Sequence, residues 1–164
     1  KKWKSSNIIS LALGQGEITM TPIQMAHMIA IIANKGYGYS PHLIKKDNNS
    51  YQKTTCKVSP HHFNIIHESM YNVIQYGTAK NSKISNINFC GKTGTSQSSQ
   101  GDHSIFGGFA PYNDPVIAIS VVIENGGFGS MYAAPIASIM IEKYIANSIN
   151  KSDNYINKLI NYSN

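Results

Sequence analysis

The sequence predicts an α+β fold with an antiparallel sheet, on three observations. Two segments with helical spacing of apolar residues come first, three short β-type runs at hairpin spacing follow, and a long helical segment comes next. Strands do not alternate with helices, as a parallel sheet would require. With 164 residues the chain has the usual length of one domain. Its composition, 41% hydrophobic and 13% charged, predicts a folded rather than a disordered chain.

The elements follow in order. A polar start from Lys1 to Asn7 leads into the apolar run Ile8 to Leu13 and a turn at Gly14-Gln15-Gly16. Thr21-Pro22-Ile23-Gln24 has the form of a helix start, with Thr as N-cap, Pro at the first helical position and Gln closing a capping box. Met25, Met28, Ile29 and Ile32 continue at helical spacing, and Gly36 after Lys35 supplies a left-handed stop. Residues 45–57 are polar and aperiodic, a loop or weak hairpin. A second helix starts at Ser59-Pro60, carries Phe63, Ile66, Met70 and Val73 on one face, and ends at Gly77. Strands are predicted over Phe89 to Thr95, Ser104 to Ala110 and Val116 to Ile123, with Tyr112-Asn113-Asp114-Pro115 as a turn. A further helix is expected from about Pro135 to Ile149. Ile136, Met140 and Tyr144 form one stripe on it, and Ile141 and Ile145 a second, which predicts cover on more than one side. Residues 150–164, rich in Asn, Lys, Ser and Tyr, are expected to be a frayed polar extension of the domain over residues 1–149.

Composition excludes several function classes. The formal charge is +6, but all 14 basic residues are Lys. Arg is the usual choice for bidentate contact with phosphate and guanine, so its absence argues against a nucleic-acid reader. No apolar run is long enough to cross a bilayer, and no cleavable leader stands at the start. Cys56 and Cys90 lack the spacing of a zinc or redox pair; two small buried thiols are expected, with one disulfide between them as the alternative. Six histidines without ligand spacing give no metal site, and no cofactor motif is present.

One motif carries chemistry: Gly91-Lys92-Thr93-Gly94-Thr95. A phosphate-binding P-loop would need a glycine at position 86, which is Asn86, and a helix after the motif, where a polar turn stands instead. The alternative is the Lys-Thr-Gly strand of the penicillin-recognising acyl-serine enzymes. Its residue types suit that chemistry. A lysine ammonium at a cleft edge attracts a substrate carboxylate and shifts the protonation of its neighbours. Threonine hydroxyls on either side can donate to that carboxylate. Gly94 removes a side chain where an extended substrate must lie along the strand. A backbone N–H just beyond it can face a developing oxyanion.

The resemblance extends well past the triplet. Gly14-Gln15-Gly16, Thr19, Thr21-Pro22 and Gln24-Met25-Ala26 resemble the segment upstream of Lys-Thr-Gly in class B penicillin-binding proteins. Asn34-Lys35-Gly36, Pro41-His42-Leu43, Gly77-Thr78-Ala79, Gln97, Asp102-His103 and Phe109-Ala110-Pro111 continue it in order. So do Val122-Ile123-Glu124-Asn125-Gly126-Gly127 and Ala133-Ala134-Pro135-Ile136-Ala137. The match runs over about residues 8–147 and is most similar to elongation-type members of that family. It implies the C-terminal part of a β-lactamase/transpeptidase-like fold and D,D-transpeptidation of peptidoglycan stem peptides through an acyl-serine. Carried over position by position, it makes Lys92 the cationic anchor and Thr93 and Thr95 hydroxyl donors. Gly94 gives clearance, and the Thr95 N–H belongs to the oxyanion hole; Lys92 and Thr95 are the catalytic members. His103 is a rim candidate with an equally admissible structural role. Ile105 stands where related enzymes carry an aromatic, and Met25, Met28 and Met70 are expected to be core fillers. The resemblance further implies β-lactams as inhibitors and a SEDS-type glycosyltransferase and elongation complex as partners. It places the protein on the periplasmic face of the inner membrane, held by an upstream anchor.

The family's Ser-x-x-Lys and Ser-x-Asn motifs precede Gly-Gln-Gly, where only thirteen residues stand. Ser50 with Lys53 and Ser148 with Lys151 match the first pattern, against roughly 1.6 matches from composition alone. Ser5-Ser6-Asn7, Ser148-Ile149-Asn150 and Ser152-Asp153-Asn154 match the second, against roughly two by chance. All are taken as coincidence, so the nucleophile is expected upstream and the chain alone is expected to be inactive. The strand Val116 to Ile123 is then expected to expose an edge or a face. A non-catalytic module of cell-wall synthesis and a β-lactamase-related protein are the alternatives, the latter lacking the Gly-Gln-Gly to Pro-Ile-Gln segment.

Overall fold

The computed structural model describes residues 3–15, 18–44, 51–151 and 153–161. Helix α1 (Ser5–Ala12) leads to α2 (Pro22–Ala33), whose start is built as the sequence predicts. The Thr21 backbone N–H donates to Gln24 Oε1 at 2.8 Å, and the Gln24 N–H returns to Thr21 Oγ1 at 3.4 Å. Lys35 and Gly36, both at positive φ, end the helix. A short antiparallel pair follows, β1 (Tyr37–Tyr39) with β2 (Lys53–Thr55), so one arm of the weak hairpin lies in the polar stretch and the other precedes it.

Helix α3 (Pro60–Gln75) buries Phe63, His67, Met70 and Ile74. The sequence reading put Phe63, Ile66, Met70 and Val73 on that face; Phe63 and Met70 are buried there and Val73 packs partly buried against the core, while Ile66 is exposed and the face widens to take in His67 and Ile74. The cause is a buried histidine: His67 Nε2 hydrogen-bonds the Ile32 carbonyl oxygen at 2.7 Å, and its ring packs on Phe109, 4.6 Å between centroids. The hydrogen bond offsets the cost of taking the imidazole out of water, so it can be buried here. A 3₁₀ turn at Lys80–Ser82 then leads to the sheet.

The main sheet has the order β3 (Cys90–Ser96), β4 (His103–Ala110), β5 (Ile117–Ile123), antiparallel throughout. Thr93 pairs with Phe106, Gly94 with Ile105 and Thr95 with Ser104. Alternation along the strands assigns two faces. Phe106, Ile119 and Val121 join Ala133, Ala134, Ala137 and Ile141 of α4 (Ala133–Ala146) in the main core. On the other face Gly107 receives Ile29 of α2, which clusters with Ala33, Met70, Cys90 and Phe109. Helices thus cover both faces, while among the described residues no strand pairs with the outer edges of β3 or β5. The expected open edge on the last strand is present.

Four expectations are corrected. Helix α4 buries Ile141 and packs Ile136 and Ile145 partly buried against the same core, but Met140 and Tyr144, the rest of the first stripe, are exposed. Residues Asp153–Ile160, expected to fray, form α5, because Tyr155, Ile156 and Leu159 share a side half-shielded from water. Cys90 is buried and free as expected, but Cys56, also free, is exposed just beyond the edge of the small hairpin. Met28 is 44% exposed and Met25 half-buried, because their side of α2 has no covering element among the described residues; only Met70 fills core. No described helix is long and apolar enough to cross a membrane.

Candidate functional site

Lys92, Thr93, Gly94 and Thr95 lie consecutively on β3, the strand at one end of the sheet. Two glycines set how closely the neighbouring elements approach them. A Cβ on Gly91 would overlap the Phe106 ring, which crosses beneath it in the core. A Cβ on Gly129 would overlap the backbone of both Gly94 and Ile105, so the loop between β5 and α4 lies directly against the motif. Ser104, fully buried and paired with Thr95, ties that loop down. Its hydroxyl donates to the Phe128 carbonyl oxygen at 3.0 Å and accepts the Ala133 N–H at 3.1 Å, which also caps the start of α4.

A groove of about 700 Å³ runs along this strand. Thr93, Gly94, Thr95, Ser96 and Ile105 form one wall, and Leu13 to Gln15, Ile18 to Met20, Met25 and Met28 form the other. The motif and the Gly14-Gln15 turn, about eighty residues apart in sequence, therefore face each other; Gly16 lies outside the described residues. Ile105, which stands where related enzymes carry an aromatic, lines the groove. The methionine wall was missed, because helical spacing alone does not say which side of α2 is covered.

Polar contacts concentrate on Thr93. Its hydroxyl shares a 2.7 Å hydrogen bond with the Thr78 hydroxyl, and the Lys92 ammonium donates to its carbonyl oxygen at 2.8 Å. Lys92 itself is exposed. Thr78 was quoted from sequence only within Gly77-Thr78-Ala79, and no spacing rule marks it as a site residue. His103 accepts the Asn125 N–H on Nδ1 at 3.1 Å and so ties the start of β4 to the turn that follows β5, the structural side of its two readings. Burial pushes the Cys90 thiol up to about 12, so it is no nucleophile at neutral pH.

Among the described residues, the members of the serine-lysine and serine-asparagine pattern matches have ordinary structural contacts. Lys151 donates to the Lys83 carbonyl oxygen at 3.0 Å and lies over the Tyr155 ring, and Asn150 donates to Glu142 at 2.9 Å. Asn7 accepts the Lys4 N–H as an end cap of α1. Ser50 and Ser152 lie outside the described residues. What the strand presents is the Thr93 and Thr95 side chains along the groove and an exposed lysine whose ammonium rests on the Thr93 carbonyl oxygen, on an edge to which an extended chain can add.

Comparison with known proteins gives a consistent result. The model of the penicillin binding protein transpeptidase domain matches residues 1–142. The peptidoglycan D,D-transpeptidase MrdA of Acinetobacter baumannii is 30% identical over 95% of this chain and 27% of its own length. PBP2 of Pseudomonas aeruginosa, solved in complex with WCK 5153, superposes with a TM-score of 0.76 at 30% identity, covering 94% of this chain and 36% of that one. PBP2 of Helicobacter pylori, solved in complex with MreC, gives 0.76 at 27% identity over 88% and 28%. The chain spans about a quarter of the length of the curated relatives it matches.

Proposed function

The chain belongs to the penicillin binding protein transpeptidase domain family, and from that premise we propose that it forms the carboxylate-binding wall of a peptidoglycan D,D-transpeptidase. The observation that carries this reading is the Thr93-Gly94-Thr95 edge strand lining a groove, with the Lys92 ammonium beside Thr93. A stem peptide ending in D-alanyl-D-alanine lies along β3, and its terminal carboxylate is held by Lys92 and the hydroxyls of Thr93 and Thr95. Gly94, without a side chain, lets the peptide backbone approach.

A serine contributed from outside these 164 residues attacks the carbonyl carbon between the two D-alanines. The oxygen gains negative charge and is met by the Thr95 N–H. The C–N bond then breaks, the terminal D-alanine leaves as a protonated amine, and the serine holds the acyl group as an ester. An amine of a second strand attacks that ester, forms the cross-link and returns the serine hydroxyl. β-Lactams mimic the substrate carboxylate and stop at the ester. The full-length protein acts at the periplasmic face of the inner membrane, anchored upstream, with a SEDS-type glycosyltransferase and the elongation complex as partners. The Helicobacter pylori relative was solved in complex with MreC, which supports a protein partner for the full-length protein.

The test is the second-order rate of acylation of the full-length protein by a fluorescent penicillin. Lys92→Ala removes the charge facing the carboxylate and is expected to slow it about a hundredfold, ~2.7 kcal/mol. An unchanged rate would remove Lys92, and with it this reading of the strand.

A further inference from the structure

We propose that Thr78 is a positioning residue of the carboxylate site, its hydroxyl donating to Thr93 Oγ1 and so directing the Thr93 proton toward the bound anion. The inference rests on the reading of Thr93 as a carboxylate donor. The two hydroxyls belong to residues fifteen apart and meet at 2.7 Å, a full-strength O–H···O distance. Both ends are fixed. Thr93 is held in the β3–β4 ladder opposite Phe106. Thr78 sits in the turn that closes α3, where the Gly77 N–H donates to the Asn72 and Val73 carbonyl oxygens at 3.1 Å, and Ala79, 1% exposed, anchors the next position in the core.

Each hydroxyl has one proton and two acceptor lone pairs. If Thr93 spends its proton on Thr78, it faces a carboxylate with lone pairs only. A carboxylate accepts and cannot donate, so it selects the other arrangement, with Thr78 donating to Thr93 and Thr93 to the anion. Polarisation along that two-bond chain strengthens the outer bond. Thr78 also borders a cavity of about 350 Å³ shared with Ser130, Met131, Tyr132 and Pro135, and it is exposed, so removing its hydroxyl disturbs little packing.

The experiment measures binding of an N-acylated D-alanyl-D-alanine peptide and of the same peptide with its terminal carboxylate amidated, to the full-length protein. Thr78→Val is expected to weaken the acid about tenfold and leave the amide unchanged, and Thr78→Ser to restore the acid. In a Thr93→Val background, Thr78→Val is expected to have no further effect. Equal acid-to-amide ratios in Thr78→Val and the unaltered protein would overturn the inference, as would a tenfold loss that persists without the Thr93 hydroxyl. No binding of the acid by the unaltered protein would overturn it too. Penicillin acylation of the unaltered protein is scored separately: its absence counts against the transpeptidase reading, while the acid-to-amide ratio still decides the role of Thr78.

Discussion

Gly91 and Gly129 do the same thing from opposite directions: each lets a heavier neighbour lie against the motif strand. The Phe106 ring fills the space under Gly91 and is fully buried, so Gly91→Ala forces a core aromatic to move. We expect a loss of about 1–3 kcal/mol, read from the urea midpoint. Gly129→Ala overlaps backbone rather than a side chain, which cannot rotate away, so it is expected to cost at least as much and to loosen the loop over Gly94. The cysteines give a different test. Cys56 is exposed and Cys90 is buried with its thiol pushed up to about 12. In native protein at pH 8 one thiol is expected to react with a disulfide reagent, and two in denaturant. The linkage has a definite sign. Unfolded Cys90 loses its proton near pH 9 while the folded thiol keeps it, so stability is expected to fall as pH rises from about 9 toward 12 and to be untouched by this group below 9. Thermal midpoints across that range, compared with Cys90→Ala, measure it.

Helix α4 shows what periodicity can and cannot say about an element. Its two apolar stripes were both legible, but of the one holding Ile136, Met140 and Tyr144 only Ile136 packs against the core, while Ile141 of the other is fully buried there. Ile141→Ala is therefore expected to cost about 3 kcal/mol and Met140→Ala under about 0.5, in the same denaturation measurement. The capped start of α2, the three strands and their hairpin order were readable because turn and capping chemistry is local. What escaped is set at long range. His67 rather than Ile66 faces the core because the Ile32 carbonyl lies opposite it, thirty-five residues away. Helix α5 was hidden by polar composition, although Tyr155, Ile156 and Leu159 mark one side of it. Of the site, the Lys92 to Thr95 wall was legible as a motif. The methionine wall and Thr78 were not, because each acquires its position only when α2 and the end of α3 pack around the sheet.

At the scale of the molecule, the sheet is covered by helices on both faces, and among the described residues no strand pairs with either of its outer edges. The β3 edge lies beside the groove, where the proposed carboxylate site stands, and no serine-lysine pattern match is among the residues that line it. Lysine is the sole basic residue type, and the account uses one of the fourteen. The central claim is that these residues form one wall of an acyl-serine site whose nucleophile lies elsewhere in the protein. Mass-spectrometric mapping of the penicillin adduct tests it most directly. The account predicts one stoichiometric adduct on the full-length protein, on a serine outside residues 1–164, and none on this chain alone. An adduct on any serine within these residues, or no adduct on the full-length protein, would contradict it.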